Sequence, residues 1–118
     1  MYEIRCRRIY DPLSENDGFR ILVDRLWPRG VKRDGARIDL WAKEIAPSTE
    51  LRRWFVHDPE KYEEFSTLYV AELERNPEVE AFRTEIREKL NVGNVTLLYA
   101  AKEETCNHAV VLKSWLVK

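Results

Sequence analysis

The sequence predicts an α/β fold: a small, mainly parallel sheet flanked by helices, in a single three-layer domain spanning residues 1–118. Two segments, "FRILVDRL" and "VTLLYAAK", have continuous apolar centres, the mark of strands covered on both faces. Helical patterns fill the chain between them, so the two strands need a crossover connection. That implies parallel pairing with a right-handed crossover. At 118 residues with 44% hydrophobic content, the chain can bury a substantial single core.

Tyr2, Ile4 and Cys6 alternate with Glu3, Arg5 and Arg7, a period-two pattern that predicts a half-exposed first strand. "DPLSENDG" is turn chemistry throughout. The strand centred on "ILV" follows and continues into Asp24 and Arg25 before Pro28 and Gly30 end it. Asp39 is placed to cap a helix over "LWAKEI", and Ser48 to cap "TELRRWF" after the stop at Pro47. Asp58 with Pro59 starts the next helix, whose stripe is Tyr62, Phe65, Tyr69 and Leu73. Asn76 with Pro77 repeats that signal ahead of Val79, Phe82, Ile86 and Leu90. Gly93 lies in the helix stop before the second buried strand. "HAVVLKSWL" closes the chain as a mostly buried helix.

Composition excludes several classes of function. No run is long enough to span a membrane, and "MYEIRCRR" lacks the apolar region of a secretory signal. Two cysteines, Cys6 and Cys106, have no metal-type spacing and make no disulfide framework, so a reducing, cytoplasmic setting is expected. The net charge of −1 argues against indiscriminate nucleic-acid binding. It hides a basic first third, with nine Lys/Arg against six Asp/Glu in residues 1–37. No motif names a cofactor or sets an oligomeric state.

In parallel sheets, ligands bind beyond the carboxyl ends of the strands. Two loops are expected there, Asp24–Arg33 and Lys102–His108. Asp24 and Arg25 follow a buried strand, where an unpaired charge is costly, so each needs a partner. They form either a structural clasp or part of a site in which Arg25 and Arg29 fork onto a phosphate or carboxylate while Asp24 orients an arginine. Trp27 is a core plug or a stacking platform. Asn107 suits an N-cap, and the helix behind it would turn free N–H groups toward the same cleft. His108, in that first turn, is the candidate proton donor to a bound oxyanion, against the alternative of a packed histidine. Cys106 invites a nucleophile reading, but neighbouring residues rarely present side chains to one another. A metal site from His57, Asp58, Asp24 and His108 has no spacing that encodes it, and none is assigned.

"DGFRILVDRLWPRGVKR", "WAKEIAPSTELRRWF" and "LLYAAKEETCNHAVVL", with the flanking helices, resemble the YeaO-like family, domain of unknown function 488. The resemblance covers nearly the whole chain. It implies a compact cytoplasmic α/β domain and brings no established reaction. The broader superfamily to which the chain is similar often carries a cysteine–histidine–arginine run where Asn107, His108 and Ala109 stand. On that alignment Cys106 is one place out of register and His108 alone carries over. The residues therefore point to a small-molecule anion-binding protein or enzyme. A nucleic-acid-associated or regulatory interaction module is the alternative.

Overall fold

The computed structural model describes residues 2–118. Four parallel strands form one sheet in the order β1-β4-β2-β3: β1 (Ile4–Arg8), β2 (Phe19–Leu22), β3 (Leu40–Trp41) and β4 (Val95–Tyr99). All five residues of β4 are buried, as a central strand of a covered parallel sheet requires. β2 and β4 are adjacent, with Val23 and Leu98 fully enclosed as expected. β2 stops at Leu22, however. The Val23 N–H still reaches the Leu98 carbonyl at 3.0 Å, and Asp24 and Arg25 already lie in the exit bend.

Helices α2 (Thr49–Phe55), α3 (Tyr62–Arg75), α4 (Val79–Leu90) and α5 (His108–Leu116) pack against one face of the sheet. Their start signals act as the sequence implies. The Ser48 Oγ accepts from the Leu51 N–H at 3.1 Å and Asn107 from the Val110 N–H, capping α2 and α5, while Asp58 and Asn76 accept from the Glu60 and Glu78 N–H groups in the turns that lead into α3 and α4. Phe65, Tyr69 and Leu73 of α3 and Phe82 and Ile86 of α4 are buried in the main core. Truncating Phe82 to alanine should cost about 3–5 kcal/mol, read as a lowered denaturation midpoint with an unchanged slope. A loss under about 1 kcal/mol would mean that the ring is not held in the core.

The other face carries a thinner layer: the segment 9–18, and the segment 23–39 with its one-turn helix α1 (Arg33–Ala36). Trp27, Trp41, Ile38 and Val31 pack there over Leu22, Leu98 and Ile9. At the amino ends of the strands, the same face holds the buried carboxylate of Asp17 between arginines. Arg7 Nη1 donates to it at 3.0 and 3.3 Å, and Arg20 Nη1 forms a second, close ion pair. Burial raises the Asp17 pKa, but the Arg7 hydrogen bond and charge, the Ser14 N–H and the Arg20 charge outweigh it. The net effect is a carboxyl below its ordinary range. Gly18 follows at φ +64°, packed against the backbone of Asn94.

One element differs in kind from expectation. "LWAKEI" does not form a helix capped by Asp39. Asp39 instead brackets Arg20, its carboxylate accepting the Arg20 N–H and its own N–H donating to the Arg20 carbonyl, both at 2.8 Å. The Ala42 N–H adds a bond to the Leu22 carbonyl. These ties hold Leu40 and Trp41 extended as β3, and only a 3₁₀ turn at Lys43–Ile45 follows. Pairing with β2 overrides local helix preference.

Candidate functional site

A cleft of about 580 Å³ opens beyond the carboxyl ends of β2 and β4, within the usual size range for small-molecule sites. Both anticipated loops line it. Asp24, Arg25, Trp27 and Pro28 come from the β2 exit, and Ala100–Glu103, Asn107 and His108 from the segment between β4 and α5.

Asp24 is the hinge of the arrangement. Its Oδ2 accepts the Ala100 N–H at 3.0 Å, which ties the β2 exit to the end of β4. Its Oδ1, closed off from solvent, lies 2.8 Å from His108 Nε2, close enough for an ion pair but without an aligned hydrogen bond. The same Nε2 lies 3.1 Å from the Val23 carbonyl. Both neighbours are acceptors, which assigns a hydrogen to Nε2. Asp24 therefore pairs with His108 rather than orienting an arginine. Eighty-five residues separate His108 from Val23, and no spacing in the sequence announces that contact.

Arg25 is both clasp and cleft wall. Its Nε and Nη2 donate to the carbonyls of Pro47 and Ala46, each at 3.0 Å, fixing the guanidinium and leaving Nη1 uncommitted. Among the described residues, no carboxylate lies within salt-bridge distance of Arg25, Arg52 or Lys102, and all three line the cleft. Arg29 does not line it. The Val31 N–H reaches back to the Pro28 carbonyl, Gly30 takes φ +78°, and the resulting turn leaves Arg29 exposed. Its carbonyl accepts from the Tyr10 hydroxyl at 2.8 Å. Trp27 is chiefly a plug: its Nε1 donates to the Val31 carbonyl, and its ring meets Trp41 edge-on at 5.3 Å. Asn107 is buried and its carboxamide is engaged at both ends, accepting from the Val110 N–H and donating one hydrogen to the Glu103 carbonyl.

Arg52 and Phe55, which sequence reasoning left out of the site, line the cleft from the far end of α2, together with His57, considered from sequence only as a metal ligand. Val56 and His57 both adopt left-handed backbone, at φ 42° and 57°. For a β-branched residue that conformation is a true outlier. A signal was present in the absence of glycine where α2 must end so abruptly. Neither cysteine belongs to the cleft lining, and burial pushes the Cys6 thiol up to about 11, with Lys113 only partly opposing it. Among the described residues, no three His, Cys, Asp or Glu side chains gather as a metal-binding group. No helix is long and apolar enough to cross a membrane.

Comparison with known proteins gives the chain its relatives. Residues 3–118 match the family described as the inactive DUF488-N3 subclade. The chain is 48% identical over 113 residues to the uncharacterized protein YeaO of Escherichia coli, covering 96% of each. It is 38% identical to uncharacterized proteins of Mycobacterium tuberculosis and Mycobacterium bovis, covering 96% of this chain and 92% of theirs. No solved structure matches it. With a family model spanning nearly its whole length and a near full-length relative at 48% identity, the chain belongs to the YeaO-like family of the DUF488 domains, within its inactive N3 subclade.

Proposed function

We propose that the protein binds a small anionic molecule in the cleft beyond the carboxyl ends of β2 and β4, and that binding rather than turnover is its task. The observation that carries this reading is the set of three cations without carboxylate partners, Arg25, Arg52 and Lys102, around a concave and largely apolar surface. The Arg25 guanidinium, held by two backbone carbonyls, can meet a carboxylate or phosphate at little entropic cost, and Arg52 and Lys102 add charge from exposed positions. Binding without turnover has separate support. His108 Nε2 is held at the Val23 carbonyl beside Asp24, the Asn107 oxygen caps α5, and no thiol lines the cleft. Membership in a subclade described as inactive supports the same view.

A thermal-shift screen against acetate, benzoate, inorganic phosphate and nucleotides tests the proposal. One class should raise the melting temperature saturably, by the equivalent of about 2.7 kcal/mol at a hundredfold excess over Kd. Arg52→Ala should weaken that ligand by about 1.5–3 kcal/mol, roughly ten- to hundredfold, without loss of fold. If no anion stabilises the protein, the proposal falls.

A nucleic-acid-associated role is the second reading. It draws on the other face, where Arg33 lies 4.4 Å above Trp27 and 5.6 Å from Trp41, and Lys43 stands 5.1 Å from Trp41. Steep salt dependence of binding to random oligonucleotides would favour it.

A further inference from the structure

From the lining of this cleft we infer that its ligand is a monoanionic carboxylate with an apolar, ring-sized body, and not a phosphate or nucleotide. The inference rests on the anion-binding reading and narrows it. Formal charge is the first ground. The lining includes Arg25, Arg52 and Lys102 against Asp24 and Glu103, a net formal charge of +1 with both histidines counted as neutral. One negative charge balances that set. A second would go unanswered in a partly desolvated space that already contains the Asp24 carboxylate.

Donor supply is the second ground. A phosphoryl group presents three oxygens, and proteins commonly meet them with backbone N–H groups in glycine-rich turns. All four glycines, Gly18, Gly30, Gly35 and Gly93, lie outside the cleft lining. The α5 amino end is partly spent, because Asn107 already takes the Val110 N–H. Arg25 has given Nε and one Nη2 hydrogen to backbone carbonyls, which fixes the direction in which its remaining donors point. Two guanidinium groups without a glycine-rich backbone cradle beside them match the two oxygens of a carboxylate.

The walls supply the third ground. Phe55 and Phe65 stack at 4.2 Å with their planes 18° apart. These rings are core side chains that back the cleft, and Leu26, Trp27, Ala100 and Ala101 supply its more accessible apolar lining. The small side chains at 100 and 101 leave room for a flat group against it. An apolar body gains about 25 cal/mol for each Å² it removes from water there, a gain that a hydrated inorganic anion does not have.

Isothermal calorimetry on the full chain at pH 7 tests the inference, with acetate, phenylacetate, indole-3-acetate, phenylacetamide, inorganic phosphate, phenyl phosphate and adenosine monophosphate as probes. At that pH the phosphate monoesters are mostly dianions. Phenylacetate and indole-3-acetate should bind at least tenfold more tightly than phenyl phosphate, and phenylacetamide should not bind measurably. Arg52→Gln should weaken the carboxylates tenfold or more, and Ala101→Leu, which narrows the wall, should weaken indole-3-acetate more than acetate. Tighter binding of phenyl phosphate or the nucleotide, still sensitive to Arg52→Gln, would overturn the carboxylate assignment and leave the anion site standing. Carboxylate binding indifferent to both substitutions would place the ligand elsewhere and overturn the inference. Failure of every anion, inorganic phosphate included, would remove the anion-binding reading itself.

Discussion

Asp17→Ala is expected to destabilise the fold by about 3–5 kcal/mol, the range for breaking a buried ion pair from one side. Asp17 is 1% exposed and Arg20 is 6% exposed, so the substitution strands a buried guanidinium. Arg20 keeps its bonds to the Arg37 and Ala36 carbonyls, but these do not cancel its charge. The carboxylate also orders its own turn by accepting the Ser14 N–H at 3.3 Å. A pH signature accompanies the loss. Because the folded pKa is depressed, the Asp17 contribution is fully present above the unfolded value of about 3.9. It disappears as pH falls through the folded value below that. Urea titrations of the wild type should therefore show stability draining away below about pH 4, and Asp17→Asn should flatten that limb of the profile. Equal acid sensitivity in the two proteins would mean that other carboxylates dominate.

Gly18→Ala is the other large effect. A Cβ at this position would sit 2.0 Å from the Asn94 carbonyl oxygen, a backbone atom that cannot swing away. The φ of +64° adds left-handed strain of about 1–3 kcal/mol, and the overlap a further 1–3 kcal/mol, for a total of roughly 2–6 kcal/mol. The consequence reaches beyond the turn. Asn94 clips three segments together, accepting the Glu3 N–H on its side chain and the Phe19 N–H on its carbonyl, and donating to the Asn16 carbonyl. Displacing it should loosen the amino ends of β1, β2 and β4 together. Chemical denaturation measures the loss, and a change under about 1 kcal/mol would refute the close approach.

Much of this architecture was legible in the sequence because it rests on local or periodic signals. Apolar runs found β2 and β4, stripes found the inner faces of α3 and α4, and Ser48, Asp58, Asn76 and Asn107 marked helix starts correctly. The meeting of the Asp24 and His108 loops followed from parallel topology alone. What stayed hidden depends on partners distant in sequence. A two-residue strand such as β3 has no period to detect, and its helical spacing misled because Asp39 bonds back to Arg20. The partner of Asp24 and the commitment of Arg25 to the Ala46 and Pro47 carbonyls are facts of docking between segments. Arg29 was misplaced because a single turn at Gly30 decides which way the chain leaves the cleft.

The left-handed pair at Val56 and His57 also bears on motion. Each residue holds its conformation at a cost of about 1–3 kcal/mol, set against the bond from the Asp58 N–H to the Phe55 carbonyl at 2.9 Å. Relaxing that corner recovers the strain, so its opening costs far less than unfolding the sheet. The cleft consequently has one yielding lip and one rigid wall. The Val56–Asp58 amides should exchange with solvent long before those of β4, and an occupant that grips His57 would slow them first.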